Sequence, residues 1–347
     1  MSSEVDTRRF TIVGAGAIGG VTGGYLARAG HTVQFVDVVE EHVRAINERG
    51  LRVSGRADFT VRTTATTPGE LRPPLGTVVI AVKSHHTLEA LAGILPHLGP
   101  TDMVVSMQNG LVSRELAGVV GREAAVAACL SFGGYYAGPG HVVHGTAGSL
   151  GIGRLDGKVT AELVALAEAL SAVEHAHATG DIFACIWAKM ALGSLYFATA
   201  IVDADVREIL DRTEYREVLM DVCAETVAVA EAQGIHLAAF AGFDPNAMRF
   251  GDRDPAAVEA AVNGVRGFFN NPHQARTGIW LDLAVRKRRT EADAHLGALL
   301  AEAGRVGVRV PGNAALYVMV KQLEAGHRRF AWSNLDELRD RMAAARV

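Results

Sequence analysis

An apolar run, Phe10-Thr11-Ile12-Val13, passes through Gly14-Ala15-Gly16-Ala17-Ile18-Gly19-Gly20 into a helical segment of small residues that closes at Leu26-Ala27-Arg28-Ala29-Gly30. A second strand-like run follows, Thr32-Val33-Gln34-Phe35-Val36-Asp37. Thr77-Val78-Val79-Ile80-Ala81-Val82 is continuously apolar and β-branched, the pattern of a strand buried on both faces of a parallel sheet. It ends in Lys83-Ser84-His85-His86-Thr87, and the next residues carry Leu88, Leu91, Ile94 and Leu95 at helical spacing. Met103-Val104-Val105-Ser106-Met107 is the next buried strand and ends in Gln108-Asn109-Gly110. Between these runs, residues 39–49 predict a short helix stopped by Gly50. Leu51-Arg52-Val53 and Phe59-Thr60-Val61 predict short strands of a meander, Pro68 to Pro74 a loop, and residues 125–154 further strands with glycine turns. Strands alternating with helices predict a doubly wound α/β sheet, and such sheets bind ligands beyond the carboxyl ends of their strands. The glycine loop, Lys83 and Asn109 all lie at such ends.

After Gly180 the pattern becomes helical. Residues 181–202 are apolar nearly all round, which predicts a buried central helix. Residues 213–233 (ended by Gly234), 255–268 and 277–304 predict three more helices, the last a long one. Residues 313–325 predict a fourth, between Pro311-Gly312 and Gly326. Ser333 and Asp336 fit a capping box for a last helix. The chain therefore divides into an α/β domain, residues 1–180, and a helical domain, residues 181–347. No disordered linker separates them, so they are expected to abut across a cleft.

At 347 residues the chain is long for one core, which agrees with two domains. A formal charge of −4 gives no reason to expect nucleic acid or a membrane surface as a partner. Cys129, Cys185 and Cys223 are scattered, with no CxxC, and read as reduced, buried residues. No charge-free apolar run reaches about 18 residues, so no membrane span is expected. The polar start, Met1-Ser2-Ser3-Glu4-Val5-Asp6-Thr7-Arg8-Arg9, lacks an apolar signal core, and a cytoplasmic protein is expected.

The glycine stretch carries the most specific chemistry. Gly14 permits the tight turn, Gly16 lets a pyrophosphate approach the backbone, and Gly19 lets helix and strand pack closely. The helix N-terminus at Ala17 and Ile18 offers N–H groups to phosphate. The strand–glycine–helix–strand context is what a dinucleotide site requires. The alternative is a glycine turn that only packs a βα unit. Asp37 lies 18 residues beyond Gly19, at the end of the second strand. A carboxylate there accepts bonds from the adenosine ribose and repels a 2′-phosphate, and Val38-Val39-Glu40-Glu41 supplies no cation to hold one. NAD(H) is therefore expected over NADP(H). The competing role for Asp37 is to cap the next helix.

Lys189 stands in Trp187-Ala188-Lys189-Met190-Ala191, inside the most apolar helix. Burial there would depress its pKa toward acid/base range; the alternative is a lysine snorkelling at the helix edge. The run Val285-Arg286-Lys287-Arg288-Arg289-Thr290 reads as a solvated helix face, and Glu291 after it as an ordinary surface residue. His85 and His86 stand at a strand end, and His273 lies in the polar stretch Asn270-Asn271-Pro272-His273-Gln274-Ala275-Arg276. Each also reads as a surface histidine. No residue set has metal-ligand spacing, and no serine nucleophile elbow occurs.

The chain resembles the ketopantoate reductase (2-dehydropantoate 2-reductase) family. The matching stretches are Gly14-Ala15-Gly16-Ala17-Ile18-Gly19, Ala81-Val82-Lys83-Ser84, Gln108-Asn109-Gly110, Trp187-Ala188-Lys189, Arg289-Thr290-Glu291 with Asp293, and Val310-Pro311-Gly312-Asn313 leading to Leu316-Tyr317 and Val320-Lys321. They keep the family's order over almost the whole chain. The resemblance implies a Rossmann domain followed by an all-helical domain like that of 6-phosphogluconate dehydrogenase, hydride transfer between nicotinamide and a 2-oxo acid or similar ketone, and a homodimer. It implies Lys189 as the catalytic lysine and Glu291 as the glutamate near it and the cofactor ribose. It also implies that Lys83 and Asn109 line the cofactor and substrate cleft, with Asn109 orienting the reacting oxygen.

Four departures bear on the substrate. Four residues after its lysine the family places a substrate-binding Asn, and this chain has Gly193. A second Asn, four further on, is replaced by Phe197. The family's Ser-rich turn reads Arg276-Thr277-Gly278-Ile279-Trp280, and the segment from Asp282 to Glu291 is one residue longer than usual. Polar contacts to a substrate are then expected from His85 or His86 and from His273, Arg276 and Thr277. The leading expectation is an NAD(H)-dependent oxidoreductase interconverting a 2-hydroxy acid, or a related secondary alcohol, with its ketone. The alternatives are an NADPH-dependent 2-dehydropantoate 2-reductase of pantothenate biosynthesis and a non-catalytic dinucleotide sensor. The sensor has no need of a lysine in an apolar helix.

Overall fold

The Phe10 run forms β1 (Arg9–Val13), the middle of the larger of two sheets, in a computed structural model that describes residues 8–270 and 275–345. By internal contact the chain falls into two compact units, Met1–Ile182 and Phe183–Val347. The first contains α1 (Ala17–Arg28), β2 (Thr32–Val36), α2 (Glu40–Arg49), β3 (Leu51–Gly55), β4 (Phe59–Val61), β5 (Thr64–Thr66), β6 (Thr77–Ile80), α3 (Thr87–Ile94), β7 (Val104–Ser106) and α4 (Val112–Val120). It continues with β8 (Ala125–Leu130), β9 (Gly133–Gly138), β10 (His141–Thr146), β11 (Ser149–Arg154), α5 (Ala161–Leu170) and β12 (His175–Ala178).

The larger sheet runs β12-β11-β8-β7-β6-β1-β2-β5. From β5 to β8 every pair is parallel, and β11 lies antiparallel to β8. The chain leaves β1 for β2 on one side and later returns to β6 on the other. The strand order thus reverses between β1 and β6, where a doubly wound sheet opens its ligand crevice. The residues just beyond these two strands are Gly14 and Ala81-Val82-Lys83.

The expected meander at residues 51–61 is corrected. β3 and β4 do pair antiparallel, but they belong to a second sheet, β4-β3-β10-β9, through a parallel β3–β10 ladder. This sheet explains the glycines of α1. A Cβ on Gly23 would lie 2.5 Å from Phe35 and 2.9 Å from Ile12 of the large sheet. One on Gly20 would lie 2.7 Å from Val142, and one on Gly24 2.6 Å from Val53, both in the small sheet. The helix is buried on two faces, so it is apolar almost all round.

The second unit is helical: α6 (Ile182–Thr199), α7 (Val206–Asp211), α8 (Thr213–Glu231), α9 (Pro255–Phe268), α10 (Gly278–Trp280), α11 (Ala298–Val306), α12 (Pro311–Glu324) and α13 (Ser333–Ala345). Asp254 caps α9 by accepting from Ala256 N–H, with Pro255 at the first helical position. Ser333 is already helical, and Asp336 instead accepts from Tyr215 Oη and Arg339, so the expected capping box is corrected. Among the described residues α6 alone is long and apolar enough to cross a membrane, and 72% of it is buried inside the protein.

The expected single helix over 277–304 is also corrected. It is two segments, each with a π-helical turn, Leu281–Val285 and Asp293–Gly297, separated by an irregular stretch in which Lys287 has φ +48°. The cause is Asp282, whose side chain is only 10% exposed. Its Oδ1 accepts from Arg286 and Arg288, tying the chain on both sides of Lys287 to one carboxylate. The basic run from Arg286 to Arg289 is exposed, as expected, but irregular rather than helical, with two of its arginines tethered to Asp282.

Candidate functional site: a dinucleotide loop and a lysine cluster

The glycine loop is tight below and open above. Gly14 has φ +95°, and a Cβ there would lie 2.8 Å from Val82 N. A Cβ on Gly19 would overlap the Gly14 carbonyl oxygen. Around Gly16, by contrast, nothing lies within 4 Å of the Cβ position. Gly16 is the N-cap of α1, makes no side-chain cap, and the first turn, with Ala17 and Ile18, carries no acid. Uncapped N–H groups facing open space fit a pyrophosphate.

Asp37 is tied to this loop. Its Oδ2 accepts from Ala15 N–H at 2.8 Å and its Oδ1 from Val39 N–H at 2.9 Å. Val39 is the N-cap of α2, so Asp37 braces both the glycine loop and the start of that helix. His42, 1% exposed, holds the other side of the Ala15 residue. Its Nδ1 accepts from Gly140 N–H, so Nε2 carries the proton and donates to Ala15 O, each at 2.9 Å. Tyr136 packs edge-on against His42, and its phenol is pushed up by burial and by the carboxylates of Asp37 and Glu41. A negative field therefore surrounds this loop end. His42 and Tyr136 carry no local sequence signal; the β9–β10 hairpin brings Tyr136 and Gly140 to His42.

Lys83, His85 and Asn109 are exposed at the ends of β6 and β7. His85 and His86 lie ring to ring at 4.2 Å in a short turn, Ser84–His86. Gln108 fastens the two strand ends together. Its Nε2 donates to Val82 O at 2.9 Å and to Thr87 Oγ1 at 2.7 Å.

In the helical unit Lys189 is half-buried on α6, 5.9 Å above the Phe240 ring. Glu291 is half-buried at the start of the second broken-helix segment. His295, one turn later, is buried, and both charges act on it. Desolvation pushes its imidazole down to about 4, the Met190 carbonyl and Glu291 pull it up, and Lys189 pushes it further down. Its Nε2 donates to Met190 O at 2.9 Å. Gly193 is what admits it, because a Cβ there would lie 2.6 Å from His295 Nε2. Phe197 packs against the same imidazole at 5.3 Å and is itself 3% exposed. The signal for His295 was a glycine in the middle of an apolar helix, a hole that some side chain fills.

The strip bearing Glu291 is clamped to α12. Thr290 N–H and Oγ1 both donate to Glu324 Oε1, while Tyr317 Oη and Lys321 Nζ donate to Asp293. Glu225, 1% exposed, accepts from the N–H groups of Gly312 and Asn313 at the start of α12. The stretches around 289–293 and 310–321 are thus one structural device.

Two expected substrate contacts have partners within the helical unit. Arg276 bonds Asp203 and Asp205 and stacks on Trp280 at 4.1 Å, so its fork already holds carboxylates. Thr277 is 4% exposed and caps α10 by accepting from Trp280 N–H. His273 lies outside the described residues. A cavity of about 160 Å³ in the helical unit, lined by Glu225, Phe250 and Arg309 among others, shares none of Lys189, Glu291 and His295. No metal-binding cluster occurs among the described residues.

Comparison with known proteins fits this geometry. Residues 10–157 match the family model described as Ketopantoate reductase PanE/ApbA, and residues 181–324 its C-terminal counterpart. The 2-dehydropantoate 2-reductase of Pyrococcus abyssi is 28% identical over 90% of this chain and 97% of its own. A PanE/ApbA family ketopantoate reductase from Ralstonia eutropha is 28% identical, with a TM-score of 0.76 over 92% of this chain and 99% of the other. A D-mandelate dehydrogenase, at 21% identity, shares the fold with a TM-score of 0.78 over 92% of this chain and 99% of its own. The chain belongs to the ketopantoate reductase family, and with it to the nicotinamide-dependent oxidoreductases acting on CH–OH groups.

Proposed function

We propose that this chain interconverts a 2-hydroxy acid and its 2-oxo acid with NAD(H), using Lys189 as the general acid and base. One observation carries the reading: Lys189 stands half-buried on an apolar helix, and the buried His295, one turn from Glu291, bonds the carbonyl of the next residue, Met190. The residues 1–180 hold the dinucleotide, with Gly14, Gly16 and Gly19 shaping the loop and Ala17 and Ile18 supplying N–H groups. Asp37 takes the ribose hydroxyls, and its carboxylate, beside Glu40 and Glu41, disfavours a 2′-phosphate. Lys83 and Asn109, at the strand ends, serve the same ligands. Bound nicotinamide supplies or accepts the hydride.

In the reductive direction the Lys189 ammonium donates its proton to the oxygen as the carbonyl becomes an alcohol. In oxidation the neutral amine takes that proton back. Glu291 carries the opposite charge, and it and the lysine act on His295 in opposite directions. The names of the curated relatives support a second reading, an NADPH-dependent 2-dehydropantoate 2-reductase. Against it stand Asp37, and Gly193 and Phe197, which offer a substrate no side-chain amide. A homodimer is part of the same proposal and rests on the resemblance. Lys189→Ala should lower kcat by about 10²–10⁴-fold while the dissociation constant of reduced nicotinamide cofactor stays unchanged. Wild-type kcat in that variant would remove Lys189 from the chemistry.

A further inference from the structure

The geometry points to His295 as the residue that positions Lys189 against Glu291, through its bond to Met190 and the space left by Gly193. The inference rests on the reading of Lys189 as the acid/base group, but its structural half stands on contacts alone. Met190 directly follows Lys189 on α6, and His295 donates to its carbonyl at 2.9 Å. The backbone N–H of His295 donates to Glu291 O at 3.0 Å, so the imidazole stands one turn along the backbone that carries Glu291. A single side chain thus connects the two backbone segments that bear the two charged groups.

Three features make this connection specific. His295 lies inside the π-helical turn Asp293–Gly297, and such turns concentrate at functional sites. Gly193 leaves no room for a Cβ beside the ring, so the close approach depends on glycine. Phe197, four residues on, closes the remaining side of the imidazole. A buried carbonyl facing a buried ring N–H in this way fixes one tautomer, with Nε2 protonated.

Four variants test the inference. Gly193→Ala should lower Tm by about 4 °C or more, as overpacking does in a chain of this size, and adding His295→Ala should recover most of that loss. Additive effects would show that the two residues do not share one space. His295→Leu fills the volume without a donor, whereas His295→Gln can still offer a side-chain N–H to Met190 O. Against the best substrate of a 2-oxo acid panel (phenylglyoxylate, 2-oxoisovalerate and 2-dehydropantoate), His295→Leu should lose about 10-fold or more in kcat with cofactor affinity unchanged. A misplacement of about 1 Å costs up to about 10². His295→Gln should stay within about 3-fold of wild type. Equal kcat in the two variants would overturn the positioning role. Crystal structures of wild type and His295→Leu give a readout free of any substrate. A changed Lys189–Glu291 separation supports the inference, and an unchanged one overturns it. If no panel member turns over in the wild type, the functional reading fails, and the crystallographic comparison still decides the positioning.

Discussion

Replacing Asp37 with Asn changes one charge and almost no volume, which isolates the electrostatic part of cofactor choice. The carboxylate accepts from Ala15 N–H and Val39 N–H at 2.8 and 2.9 Å. Asn keeps one carbonyl oxygen for one of them and turns its amide nitrogen toward the other. The expected folding cost is about 1–2 kcal/mol, the scale of one backbone donor left unsatisfied. The cofactor effect is larger in sign than in size. A unit charge on a 2′-phosphate about 4 Å from Asp37 is repelled by about 4 kcal/mol at an effective dielectric of about 20. Asp37 is half-buried, so solvent and salt reduce this to about 1.5–3 kcal/mol, or about 10- to 10²-fold in relative affinity. Glu40 and Glu41 remain and keep part of the field. Fluorescence titration of NADH and NADPH, with wild type and variant at low and high salt, reads the ratio of dissociation constants without a substrate. The preference for NADH should fall by about 10-fold or more in Asp37→Asn and should shrink with salt in the wild type. Tighter binding of NADPH than NADH by the wild type, or an unchanged ratio in the variant, would refute the electrostatic account.

Gly23→Ala pushes a methyl to 2.5 Å from the fully buried Phe35 ring, and a loss of about 1–3 kcal/mol in chemical denaturation is expected. His295, with its folded pKa lowered to about 4, is neutral in the native state and protonated in the unfolded chain below about 6.5. Its contribution is therefore complete above pH 6.5 and lost as pH falls toward 4, amounting to about 3 kcal/mol. Glu225, whose carboxyl is raised by burial, works in the opposite sense, so the informative quantity is the difference between wild type and His295→Gln across that window. An unchanged difference from pH 7 to pH 4.5 would contradict a neutral buried imidazole.

The Rossmann half was legible because its signals are local. The β1–glycine–α1–β2 order and the β-branched runs at 77–82 and 103–107 each announce their own element. The second sheet was not legible, because Leu51–Gly55 pairs with His141–Thr146 across some ninety residues, and no short pattern encodes that ladder. The break near Lys287 was hidden as well. It contains no Pro or Gly, and it follows from Asp282, a buried carboxylate that captures Arg286 and Arg288. The residues alone left Lys189 between two roles and Glu291 ordinary, and only the resemblance singled them out, whereas the partners of Arg276 and Thr277, namely Asp203, Asp205 and Trp280 N–H, come from folded geometry. His295 looks like any helical histidine until Gly193 is set beside it.

The most direct test of the account is a steady-state comparison of 2-oxo acids followed at the reduced-nicotinamide band, with NADH and with NADPH. The panel covers 2-dehydropantoate and branched, aromatic and sugar-derived 2-oxo acids. The account expects a kcat/KM of about 10⁴ M⁻¹s⁻¹ or more with NADH for at least one compound other than 2-dehydropantoate. A higher value for 2-dehydropantoate with NADPH than for every other combination would contradict it.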